Sequence, residues 1–194
     1  MNRFGQHADE PVWRARRHLF AHPVPDAVAD WLFDPGSLTR RLVALCRDGF
    51  RVAVIRQGWG RPLLNEATRL GLPVSQVALI REVQLYCGDT PWVYARTVIP
   101  HTTLRGAQRH LAHLGTRPLG AVLFADPGLR REEVEVACMT PRHRLFHTAV
   151  QGLGETPDAI WGRRSVFYTG GRPLLVNEVF LPTLVGFEEE SWKY

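Results

Sequence analysis

The sequence has no Cys-x-x-Cys pair, and its three cysteines, Cys46, Cys87 and Cys138, stand far apart. That spacing indicates neither a disulfide framework nor a zinc site. Met1 to Arg17 lacks the apolar core of a secretory signal, and no stretch approaches the length of a membrane span. A cytoplasmic, reduced chain with no stable membrane insertion is the expectation. Gly-x-Gly-x-x-Gly, Walker and Gly-x-Ser-x-Gly motifs are absent. His143 and His147 stand four apart, but no Glu or Asp lies between them as in a zincin. His110 and His113 read as surface residues of a solvated helix. Neither metal nor cofactor is therefore expected. Lysine is nearly missing too, since Lys193 is the only one among the 24 Lys and Arg residues. The arginines are scattered rather than run together, which argues against a nucleic-acid partner. Repeats and low-complexity tracts are also absent.

What is present suits one ordinary globular domain. The 194 residues are 45% hydrophobic and 22% charged, with a net charge of +5. Asp26 opens a helix bearing Val28, Trp31 and Leu32. Ser37 caps a second through Leu38, Leu42 and Cys46. Phe50 to Gln57 alternates as a strand, and residues 61–76 read as a lead-in to the next one. Thr103 to Leu114 reads as a helix, Leu119 to Phe124 as a shorter one, and Arg131 to Val136 as a strand.

Two hairpins dominate the rest. In the first, Leu79–Cys87 and Thr90–Pro100 flank Gly88-Asp89, a two-residue turn of type II′. That turn pairs Leu85 with Trp92, Val83 with Tyr94 and Arg81 with Arg96. Two arginines then oppose each other on one apolar face, which is destabilising without an anion. Glu82 faces the other side of its strand. Two inward arginines suit a ligand with two carboxylates, and Arg is the residue for gripping carboxylates bidentately. In the second hairpin, a Gly170-Gly171 turn pairs Phe167 with Leu174, Ser165 with Val176 and Arg163 with Glu178. Glu178 lies in a strand apolar on both faces, so free solvation is not expected. It is either a structural partner of Arg163, the commoner case, or a carboxylate lining a pocket. Hairpins with helices clustered between them argue for an antiparallel α+β fold.

A set of motifs in order and in register then stands out. Ile80-Arg81-Glu82 is followed by Pro91-Trp92 and Ala95-Arg96-Thr97-Val98-Ile99-Pro100. Next come Leu114-Gly115, Pro118-Leu119-Gly120 and Leu123-Phe124. Trp161-Gly162-Arg163-Arg164-Ser165, Gly171-Arg172-Pro173-Leu174-Leu175 and Asn177-Glu178-Val179-Phe180-Leu181-Pro182 complete the series. From about Asp26 to Pro182 the chain resembles the chorismate–pyruvate lyase family. The resemblance implies a single antiparallel six-stranded sheet with helical flaps over a buried site. It implies cofactor-free cleavage of chorismate to 4-hydroxybenzoate and pyruvate, the first step of ubiquinone synthesis. It also implies roles for particular residues. Arg81 looks like the arginine that grips the ring carboxylate. Glu178 looks like the group that meets the 4-hydroxyl, as base or as orienting group. Leu119 matches a flap residue on the ring, and Leu38 a flap position that is Met in other members. Arg96 matches a second arginine needed for activity.

The expected organisation is one domain over 1–194, acting as a monomer, with 1–22 and 186–194 peripheral. Residues 138–159 exceed the short link of other members and are expected to be a flexible insertion rather than an added helix. The rival reading is a ligand-sensing module of the same fold, as in some transcription regulators, but residues 1–25 are too short for a DNA-binding helix-turn-helix. A non-enzymatic carrier of aromatic acids is a third reading.

Overall fold

The computed structural model of the chain describes residues 9–19, 24–46 and 49–191, with side chains described as far as Gly186. Eight strands form one antiparallel sheet, in the order β1-β6-β7-β8-β4-β3-β2, with β5 beside β7. They are β1 (Arg14–Ala15), β2 (Phe50–Gly60), β3 (Ala78–Cys87), β4 (Thr90–Pro100), β5 (Arg130–Arg131), β6 (Glu135–Met139), β7 (Ile160–Thr169) and β8 (Arg172–Phe180). The expected six strands become eight because β1 and β5 are two residues long, too short to leave a period in the sequence. The helices are α1 (Asp26–Leu32), α2 (Leu38–Cys46), α3 (Leu64–Arg69), α4 (Leu119–Leu123), α5 (Arg144–Ala149) and α6 (Pro182–Ser191), with a 3-10 helix over Gly106–His113.

One face of the sheet is roofed by two helical flaps. From α1 and α2, Val28, Trp31, Leu32, Leu38 and Leu42 pack with Val52, Val83, Leu85 and Ala95 of the strands. Leu111 of the 3-10 helix and Leu123 of α4 pack with Phe167, Leu174 and Val176. Ser37 caps α2 as expected, its Oγ accepting the Arg40 N–H at 3.4 Å. The flaps meet where α4 begins. A Cβ on Gly120 would stand 2.7 Å from Thr39 Oγ1, so only glycine lets α4 approach α2 this closely.

The second hairpin has the expected register, Arg163 opposite Glu178 and Phe167 opposite Leu174. The first does not. Cys87 pairs with Thr90 and Tyr86 with Pro91, but Leu85 then pairs with Val93. Trp92 is the extra residue of a β-bulge, which lets the neighbours Trp92 and Val93 both enter the same core cluster. Beyond it Glu82 pairs with Arg96 and Arg81 with Thr97. A slip of one residue exchanges faces. The expected pairing of Arg81 with Arg96 on one face is therefore corrected: the two arginines lie on opposite faces.

Three further expectations change. Residues 138–159 are not a loose insertion: they finish β6 and form α5, whose Leu145, Phe146 and Ala149 are buried against Tyr94, Ile160 and Val179 on the unroofed face. Asp9 to Leu19 is attached rather than loose, since Arg14 and Ala15 pair with β6 and Trp13 is buried beneath the Arg164 guanidinium. The rest of segment 1–22, residues 1–8 and 20–22, lies outside the described residues. The expected peripheral tail, 186–194, begins inside α6, which buries Leu184 just before it, and side chains past Gly186 lie outside the described ones. Cys46 and Cys87 form a disulfide between the ends of α2 and β3, against the expectation of a reduced chain. Their Cα atoms stand 5.6 Å apart, an ordinary bridging distance. Nothing in a lone pair of cysteines 41 residues apart announces that contact.

Candidate functional site

Register decides which side chains share the roofed face. One row across the sheet runs Val83, Ala95, Glu178, Arg163, and a neighbouring row runs Arg81, Thr97, Val176, Ser165. With the flaps above, these rows enclose a cavity of about 620 Å³ counting its mouth. Leu38 and Leu119 line it from the two flaps, and Arg81 and Glu178 line its floor. Arg131 and Arg163 line it too. Those two were not singled out as site residues, although the motif Trp161-Gly162-Arg163-Arg164-Ser165 carries one of them.

The arginines differ in their partners. Arg81 is 2% exposed and has no carboxylate partner among the described residues. Its Nη1 donates to Gln57 Oε1 at 3.0 Å and its Nη2 to the Arg117 carbonyl at 3.4 Å. Burial holds its pKa below the usual arginine value. Gln57 in turn donates to the Ala112 carbonyl at 2.8 Å, so one amide orients the guanidinium and ties β2 to the 3-10 flap. Arg163, also buried, donates from Nε to Glu178 Oε2 at 2.6 Å and from Nη1 to the carbonyls of Trp31 and Asp34 at 2.8 and 2.7 Å. Both readings of Glu178 thus coexist. It pairs with Arg163, and its side chain, 15% exposed, faces the cavity.

Arg96 is not brought to this site. It sits on the other face in a polar row: Glu82, Arg96, Asn177, Arg164, Glu135. Its Nε and Nη2 clasp Glu66 at 2.9 and 3.0 Å, and its Nη1 reaches Glu82 at 2.7 Å. Burial alone would lower its pKa, but Glu66 and Glu82 outweigh that and raise it. Glu66 comes from α3, inside the stretch expected to be a lead-in. It caps its own helix by accepting the Leu63 N–H at 2.9 Å. Two arginines expected on one face therefore lie on opposite faces of the sheet with different partners.

Among the lining residues, three guanidiniums face one carboxylate, which leaves two positive charges for a ligand. No group of His, Cys, Asp and Glu able to hold a metal occurs among the described residues. No described helix is long and apolar enough to cross a membrane.

Comparison with known proteins agrees with this geometry. The family model described as chorismate lyase matches residues 9–190. A protein of Methylococcus capsulatus named "Probable chorismate pyruvate-lyase" is 47% identical over 83% of this chain and 98% of its own length. "Probable chorismate pyruvate-lyase 2" of Pseudomonas fluorescens is 41% identical over 92% of this chain and 93% of its own. Among solved structures, a GntR-family transcriptional regulator from Bacillus cereus shares the fold at a TM-score of 0.51 and 16% identity, over 70% of this chain and 94% of that one. With a matching family model over nearly its whole length and its motif arginine and glutamate in one roofed cavity, the chain belongs to the chorismate lyase family.

Proposed function

We propose that this chain cleaves chorismate to 4-hydroxybenzoate and pyruvate, without a cofactor, as a step towards ubiquinone. The observation that carries the reading is the two positive charges left over in a largely apolar cavity, which suit a dicarboxylate. Arg81 grips the ring carboxylate with a guanidinium that has only neutral partners. Glu178 lies two strands away across β4, roughly 10 Å of sheet, which leaves room for a ring between them. There it meets the 4-hydroxyl. Leu38 and Leu119 press on the ring from the flaps. In the reaction the bond between ring C3 and the ether oxygen breaks, and its electron pair leaves with enolpyruvate. The C4–H pair becomes a ring π bond, and the released proton ends on the enolpyruvate carbon to give pyruvate. Aromatisation drives the step, so the protein's task is to position the diene and stabilise charge on the departing group. Arg96 serves by holding β4, β3 and α3 together rather than by touching substrate. We propose that the chain acts as a monomer. The cytoplasm is the compartment we propose, where the Cys46–Cys87 bond would be open to reduction.

The test is purified protein mixed with chorismate. Equal amounts of 4-hydroxybenzoate and pyruvate are expected, with turnover unchanged after exhaustive chelation and dialysis. No product, or activity restored only by added metal, would refute the reading. Arg81→Ala should weaken 4-hydroxybenzoate binding by about 2–3 kcal/mol, as for a lost hydrogen bond to a charged group. Arg81→Lys should recover part of it, because a point charge does not replace a planar fork. Unchanged affinity in Arg81→Ala by titration calorimetry would show that the residue is only structural.

A further inference from the structure

The cavity's second carboxylate holder cannot be Arg96, which lies behind the sheet between Glu66 and Glu82. Of the remaining lining cations, Arg163 already carries Glu178 and two carbonyls. Arg131 is placed differently. Its Nε donates to Ser165 Oγ at 2.9 Å, and its Nη1 to the carbonyls of Asp34 and Pro35 at 3.4 and 3.2 Å. Its Nη2 is buried with no hydrogen-bond partner among the described residues. Every acceptor it has is neutral. A fixed guanidinium with one buried, unmet amino group in a cavity wall is built to receive an oxygen anion.

We propose that Arg131 holds the carboxylate of the enolpyruvyl group through Nη2. The assignment rests on the chorismate reading above and names the residue that completes it. Position supports it. Arg131 pairs with Phe167 on β7, and its guanidinium lies 5.2 Å from the Phe167 ring centroid. Its partner Ser165 is two residues from Arg163, which faces Glu178. Arg131 therefore stands at the Glu178 end of the cavity, away from Arg81 on β3. Chorismate carries its enolpyruvyl ether on the carbon beside the hydroxyl-bearing one, so the second carboxylate falls at that same end. Burial, with the nearby Arg163 charge, lowers the Arg131 pKa against the pull of Glu178 and Asp34. A bound carboxylate would relieve that cost. As the ether bond breaks, negative charge grows on the departing enolpyruvate, and a preset guanidinium there favours the transition state over the ground state. The same residue anchors the loop before α2 through Asp34 and Pro35, so it also joins the substrate's leaving half to a flap.

The two ligands of the reaction separate this role from a structural one. Chorismate has both carboxylates, and 4-hydroxybenzoate has only the ring carboxylate. Wild type, Arg131→Met, Arg131→Lys and Arg81→Ala are compared for kcat/KM with chorismate and for Kd of 4-hydroxybenzoate. Arg131→Met should lower kcat/KM by roughly 30-fold or more, as for a lost charged hydrogen bond, and leave 4-hydroxybenzoate affinity within about twofold. Arg131→Lys should recover part of the rate with the same affinity. Arg81→Ala should lose both quantities. Parallel loss of both by Arg131→Met, or unchanged kcat/KM, would overturn the assignment. If Arg131→Met does not fold, Arg131→Lys decides: a rate loss matched by an equal loss of product affinity counts against it. Wild type that binds 4-hydroxybenzoate but leaves chorismate intact would instead remove the parent reading, and the assignment with it.

Discussion

Arg96→Ala is expected to destabilise the fold by about 3–5 kcal/mol at neutral pH, the cost of removing one partner from a buried ion pair. Its guanidinium is the only cation within hydrogen-bond reach of Glu66, which is 0% exposed, among the described residues. It also meets Glu82, to which the Tyr94 hydroxyl donates at 3.0 Å. Asn177 Nδ2 donates to Glu66 at 2.9 Å and to the Arg96 carbonyl at 3.2 Å, so the network crosses β3, β4, β8 and α3. Without the guanidinium, two buried carboxylates are left with no cation within hydrogen-bond reach among the described residues. Urea unfolding of wild type and variant at pH 7 measures the deficit. Near-normal stability together with lost turnover would return Arg96 to the chemistry. The resemblance implies an arginine needed for activity at this position, and a variant that mostly fails to hold its sheet satisfies that as well as a catalytic one does.

The same residue shows where the sequence ran out. Pairing across Gly170-Gly171 was readable because a glycine turn sets the register and nothing downstream disturbs it. Pairing across Gly88-Asp89 was not, because adjacent Trp92 and Val93 both bury and force a bulge that alternation cannot announce. That single extra residue sent Arg96 to the far face and hid its true partner. Glu66 was invisible for another reason: α3 is six residues long, too short for a helical period to declare itself. Arg131 was expected on one strand running to Val136, but that stretch splits into β6 and the two-residue β5, so alternation along it could not give the face of Arg131. Arg81, Glu178, Leu38 and Leu119 do converge on one cavity, but it was the resemblance that singled out Leu38 and Leu119. Hydrophobic periodicity marked the helices that carry them and could not say which side chain would look into a pocket rather than a core.

Glu178→Gln is expected to leave a folded protein that turns over roughly three orders of magnitude more slowly, within the range for loss of a positioned acid–base group. The pairing with Arg163 would argue for collapse instead, but its geometry does not. The Gln amide oxygen can still accept the Arg163 Nε–H, and Arg163 keeps the carbonyls of Trp31 and Asp34. The carboxylate's side chain is 15% exposed, so the pair is not fully dry. The stability cost is then that of weakening one charged hydrogen bond, about 1–3 kcal/mol. The effect on substrate runs the other way. Removing a negative charge from the cavity leaves its arginines less compensated, so a dianion should bind as well or better. The signature is a steep fall in kcat with KM unchanged or lower, a pattern that lost substrate binding cannot give. Thermal unfolding and single-turnover rate should be read on one sample. A destabilised Glu178→Gln protein whose folded fraction reacts at the normal rate would make the carboxylate a partner of Arg163 and nothing more.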